Sequence, residues 1–131
     1  MFKEGEECFK GWDKFKILSL GGDMVELESE DERIFCAAHN LVEVNEGTIE
    51  VSNRIKESLY RVTSKGGRLI NHREVRRFYE TMWSIYVKEP TQSSKDTINR
   101  SVEMFEKDAL EHIEKNNSIS VQGCRIFEMQ F

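Results

Sequence analysis

The hydrophobic period changes once along this chain of 131 residues, and that change fixes the fold class. Between Phe15 and Leu27, apolar side chains recur about every second residue: Phe15, Ile17 and Leu20, then Val25 and Leu27. Period two marks a strand with one buried face. The two runs meet at Gly21-Gly22-Asp23, a hairpin turn in which glycine reaches positive φ without strain. From Val51 onward the spacing becomes three and four: Val51, Ile55, Leu59 and Val62. One type of element cannot serve both patterns. The sequence therefore predicts an α+β chain, strands first and helices after.

Five strand-like runs lie before residue 46, near residues 7–9, 14–20, 24–28, 33–37 and 41–44, with the acidic Ser29-Glu30-Asp31-Glu32 turning a second hairpin. About 45 residues of short strands is the size of a small barrel. The Lys-x-Lys-Ile-x-Ser-Leu-Gly-Gly-Asp-x-Val-x-Leu stretch (from Lys14 to Leu27), with a short turn at Ala38-His39-Asn40-Leu41 before the last strand, resembles the KOW/Tudor-type SH3-like barrels. The resemblance covers a third of the chain. It implies an SH3-like β-barrel over residues 1–46 and a binding module for proteins or nucleic acids, without choosing between them. In Tudor-like barrels, loop aromatics can cage a cation or grip a peptide. Phe9, Trp12 and Phe15 are the protein-binding candidates on that ground. Read from the residues alone, Phe9 and Phe15 serve equally as core and Trp12 as a cap on the barrel end.

Residues 47–131 read as three helices and a closing hairpin. The first carries the Val51 stripe, with Thr48 or Ser52 as N-cap and Gly66-Gly67 as stop. Residues 48–51 fit a strand as well as a helix. The second begins at a capping box, Asn71 with Glu74, and ends at Pro90. Its inward face is Val75, Phe78, Tyr79, Met82, Ile85 and Tyr86, with Trp83 at the edge. The third spans Ser94 to Lys115 with Ile98, Val102, Phe105, Ala109 and Ile113 inward. Met104 and Leu110 widen that apolar surface, which with the apolar strand-like tail, residues 124–131, points to a partner or a homodimer.

Charge separates along the chain. Residues 1–50 carry 5 basic and 13 acidic side chains, a net of −8, and residues 51–90 carry 9 and 4, a net of +5. The sharpest local feature is the basic segment Arg61 to Arg77. Lys65, Arg68, His72, Arg73, Arg76 and Arg77 are its candidate phosphate or nucleic-acid contacts, since a Gly-Gly loop leading to a helix N-terminus can hold phosphate and the arginines can follow a backbone. The competing expectation is that these arginines answer the acidic barrel. An acidic chain with pI about 5.3 lacks the usual footprint of a nucleic-acid binder.

Catalytic constellations are sparse. Cys36-x-x-His39 has ligand spacing but no second pair, so no metal is expected. Asp108 and His112 share a helix face with no nucleophile placed near them in sequence. No phosphate-binding loop or dinucleotide fingerprint occurs, so no cofactor is expected. The three cysteines suit a reduced compartment. No apolar run spans a membrane, and the first residues are too acidic for a signal peptide. These readings converge on a cytoplasmic, non-enzymatic binding or regulatory protein with a protein partner. A small phage- or mobile-element-type accessory or inhibitor protein is the kind of role it fits, and nucleic-acid binding is the alternative.

Overall fold

A computed structural model describes residues 2–118. The order is five strands, then three helices: β1 (Glu7–Lys10), β2 (Asp13–Gly21), β3 (Met24–Glu28), β4 (Arg33–Ala37), β5 (Leu41–Glu43), α1 (Glu46–Gly66), α2 (His72–Lys88) and α3 (Gln92–Ser118). The α+β expectation holds. The C-terminal hairpin expected after α3 lies outside the described residues.

The strands form one antiparallel sheet in the order β4-β3-β2-β1-β5. Its core is Cys8, Phe15, Ile17, Val25, Leu27, Cys36 and Leu41, with Phe2, Ile34 and Ala38 packed against them. Alternation in β2 breaks at Leu18, because the register with β3 shifts between Ile17 and Ser19. That bulge turns Leu20, rather than Ser19, opposite Val25. The 3-10 turn Ala38–Asn40 sits between β4 and β5, where the short turn is expected.

The sheet does not close into the expected barrel, since β4 and β5 end it on opposite sides. The physical reason lies at β5, which is only three residues long. The carbonyl of Glu43 accepts a hydrogen bond from Thr48 Oγ1 at 2.9 Å, so the chain turns into α1 at once.

Residues 48–51 are helical. Asn45 Oδ1 accepts from Thr48 N and Thr48 Oγ1 accepts from Asn45 N, both at 2.9 Å. This reciprocal pair makes Asn45 the N-cap, in place of Thr48 or Ser52. The chain divides into two compact units, Met1–Ser52 and Asn53–Phe131, with the boundary inside α1. The first turns of α1 belong with the sheet because Thr48 bonds Glu43 and the buried Ser52 Oγ donates to the Trp12 carbonyl at 2.6 Å.

In the second unit, α2 starts as the capping box requires: Asn71 Oδ1 accepts from Glu74 N at 3.2 Å. Its buried residues are Val75, Tyr79, Met82, Trp83 and Tyr86. Trp83 thus replaces Ile85, which is 39% exposed, on the inward face. Helix α3 buries Ile98, Val102, Ala109 and Ile113 as expected, together with His112. Phe105 stacks on Phe78 of α2 with ring centroids 4.0 Å apart and planes at 7°, and meets Tyr79 edge-on at 5.7 Å.

Candidate functional site

The three barrel aromatics are not presented to solvent. Phe9, Trp12 and Phe15 are 2%, 6% and 6% exposed, and Phe15 belongs to the sheet core. The expected aromatic cage is therefore corrected: a ring at that exposure offers no face to a cation or a peptide. The strand pattern explains Phe15, whose β2 position faces inward with Ile17.

The exposed aromatic of the sheet is Phe35, in edge strand β4, at 68%. Its neighbours on the outward face follow from the register. One row is Lys16, Glu28 and Arg33; the next is Ser19, Glu26 and Phe35; the last is Gly21, Met24 and Ala37. Arg33 lies 3.8 Å from Glu26 and 3.7 Å from Glu28, and Ser19 Oγ donates to Glu26 Oε1 at 3.3 Å. Polar groups thus answer each other at one end of the face. At the other end, Met24 is 48% exposed between the small Gly21 and Ala37, and a Cβ at Gly21 would meet only open space. Met24 and Phe35 therefore stand above their surroundings as a diagonal cross-strand pair. Sequence reasoning missed Phe35, although alternation carried the signal: Ile34 and Cys36 point inward, so Phe35 must point out.

Lys65, Arg68, His72, Arg73, Arg76 and Arg77 are all exposed, as the basic-segment expectation needs. Two cations of the segment are engaged by carboxylates. Arg61 Nη1 donates to both Glu106 oxygens at 2.7 Å, and Arg76 pairs with Glu80 at 3.8 Å. His72 Nε2 lies 2.6 Å from the Gly67 carbonyl, which ties the ring to the turn rather than to a ligand. Lys65, Arg68, Arg73 and Arg77 have no side-chain partner among the described residues. Arg73 and Arg77 are one turn apart on one side of α2. Arg77 also borders an open groove lined by Glu74, Val75, Phe78, Thr81 and Phe105. At the N-terminus of α2 the Asn71 side chain takes the Glu74 amide, and Glu74 adds a carboxylate to the first turn, which disfavours an anion there.

The remaining reactive groups are either buried or without a ligand set. Cys36 is buried and His39 exposed, in spite of their ligand-like spacing, and no group of three metal-binding side chains exists among the described residues. Burial, reinforced by nearby Cys36, pushes the Cys8 thiol up to about 11, which keeps it protonated and unreactive at neutral pH. His112 is 7% exposed and lies beside Asn116, whose amide donates to the His112 carbonyl at 2.9 Å, while Asp108 is exposed. Tyr79, hydrogen-bonded to Ser58 at 2.7 Å, is pushed up to about 12, because burial outweighs that bond. No helix among the described residues is long and apolar enough to cross a membrane. No protein-family model, curated protein or solved structure matches the chain.

Proposed function

We propose that this is a non-enzymatic binding or regulatory protein that acts through protein–protein contact, with the sheet as its recognition surface. The observation that carries the reading is Phe35, a full-sized aromatic two-thirds exposed on an edge strand beside exposed Met24. Leaving a phenyl group in water forgoes about 1.5–3 kcal/mol that its burial would supply. A surface of this kind is suited to being covered by a partner. Strand order and the 3-10 turn before β5 support kinship with SH3-like sheets, which serve mostly as binding modules. A small accessory or inhibitor protein of phage or mobile-element type, working in the cytoplasm, fits this reading. The test is purification of the tagged full chain from cells in which it is made, with polypeptide and nucleic acid both quantified. A stoichiometric polypeptide that survives nuclease is expected. Nucleic acid alone would overturn the reading.

A second reading, nucleic-acid binding, is favoured by one observation: four exposed cations, Lys65, Arg68, Arg73 and Arg77, in one short segment, with no side-chain partner among the described residues. Beside Arg77, the Phe78–Phe105 stack gives the groove an aromatic wall of the kind on which bases stack. Glu74 in the same groove and the acidity of the chain weigh against it. Fluorescence anisotropy with labelled single and duplex strands at low salt decides: Arg73→Gln with Arg77→Gln should abolish binding if this reading is right.

A further inference from the structure

We propose that the free edge of β4 receives an added antiparallel or parallel strand from a basic, extended peptide, whose central apolar side chain packs on Phe35. The inference rests on the protein-binding reading and specifies how the partner is held and what chemistry it carries.

Three observations converge on this edge. First, β4 pairs only with β3, and among the described residues no turn or loop hydrogen bond falls on the backbone of Arg33–Cys36 outside that ladder. Unpaired edge N–H and C=O groups are a template for a further strand. Second, native edges are commonly blunted by lysine, proline or an inward-pointing charge. Here β4 reads Arg-Ile-Phe-Cys-Ala, with its one charge at the first position and Phe35 at the centre, 68% exposed. In strand addition the backbone supplies affinity and alternate side chains supply specificity. The alternate side chains on the outward face of β4 are Arg33, Phe35 and Ala37.

Third, both ends of the edge are acidic. Glu30, Asp31 and Glu32, all exposed, lead directly into Arg33. At the other end Asp23, also exposed, holds the chain just past β4, its carbonyl accepting from Ala38 N at 2.9 Å. Arg33 is engaged by Glu26 and Glu28 and does not offset that loop. A strand laid along β4 would pass from one acidic end to the other over a phenyl ring. Lysine or arginine flanking an apolar residue is the complementary pattern. The same charges disfavour a nucleic-acid strand here.

The probe is a seven-residue peptide alternating lysine with valine and with phenylalanine at its centre. Its controls are a glutamate-for-lysine counterpart and a version N-methylated throughout, which has no backbone donor on either edge and cannot complete the ladder. Titrated into the full chain, the lysine peptide should bind saturably and shift the backbone amides of Arg33–Ala37 in NMR spectra. Phe35→Ser should weaken binding at least tenfold, and Phe35→Lys should do the same by charge as well as by area. Both substitutions fall at one solvent-facing position, and unchanged circular dichroism checks the fold. The triple neutral change Glu30→Gln, Asp31→Asn, Glu32→Gln should weaken binding and make it less sensitive to salt. Equal binding of the glutamate peptide, full binding of the methylated one, or shifts centred away from β4 would overturn the proposal. So would a dimer in sedimentation that Phe35→Ser dissociates, since a second copy would then be the occupant. Absence of peptide binding removes the edge proposal alone. The wider protein-binding reading stands or falls with the co-purification experiment.

Discussion

Burying a thiol and a phenol makes stability fall in alkali, each over its own pH window. Folded Cys8 holds its proton to about 11, against an ordinary 9.0, because burial first and Cys36 second disfavour the thiolate. Between these values the unfolded chain binds fewer protons than the folded one, so stability falls as pH rises from 9 to 11 and is untouched below 9. Tyr79 repeats the argument from 10 to about 12. Urea midpoints should therefore be flat from neutrality to about pH 9 and then decline, and Cys8→Ala should flatten the first part of the decline. A decline beginning well below pH 9 would contradict this assignment. Gly66 gives a second residue-scale prediction. Its φ of −72° is helical, where alanine ordinarily gains about 1 kcal/mol over glycine. Here an added Cβ would lie 2.7–2.9 Å from three side-chain atoms of Ile70, which is fully buried. Gly66→Ala should thus reverse the usual sign and cost about 1–3 kcal/mol in a denaturant melt.

Elements were legible where a residue punctuates them. Gly21-Gly22 marked the hairpin, and Asn71 with Glu74 and Pro90 marked both ends of α2. The start of α1 was not legible, because Thr48-Ile49-Glu50-Val51 is β-branched and alternating, as a strand would be. What decides it is a pair of hydrogen bonds between Asn45 and Thr48, one side chain serving each backbone N–H. Asn45→Ala should cost about 1 kcal/mol. Thr48→Ala should cost more, since Thr48 is buried and its hydroxyl also satisfies the Glu43 carbonyl. Thermal melts of the two variants give the order directly, and equal costs would deny Thr48 its second role. Barrel closure was illegible for a related reason: it depends on how far β5 runs, and the capping hydroxyl ends it. Helix α2 shows the limit of periodicity. A stripe drawn at helical spacing admits either Ile85 or Trp83, and packing selected the tryptophan.

At the scale of the molecule, the net charge of −5 conceals an acidic first third and a basic middle. That segregation was legible in the sequence, but which cations remain available was not, because it depends on pairing in space. Glu106 takes Arg61, and Glu80 takes Arg76. Of the segment from Arg61 to Arg77, Lys65, Arg68, Arg73 and Arg77 stay unpartnered among the described residues. The number of phosphates a nucleic acid could neutralise there is bounded accordingly. On duplex DNA each neutralised phosphate contributes about −0.9 to the slope of log K against log salt, so four cations allow a slope no steeper than about −3.6. If the chain binds duplex at all through this segment, anisotropy between about 20 and 200 mM salt should give a slope within that bound. Arg73→Gln should then reduce it by about 0.9, whereas Arg76→Gln, which removes a cation already answered by Glu80, should change it less. A slope beyond the bound would mean that the carboxylate-held arginines are released on binding, and that the pairing seen in the free chain yields to the nucleic acid. Absence of any detectable complex leaves the basic segment as a solvated face.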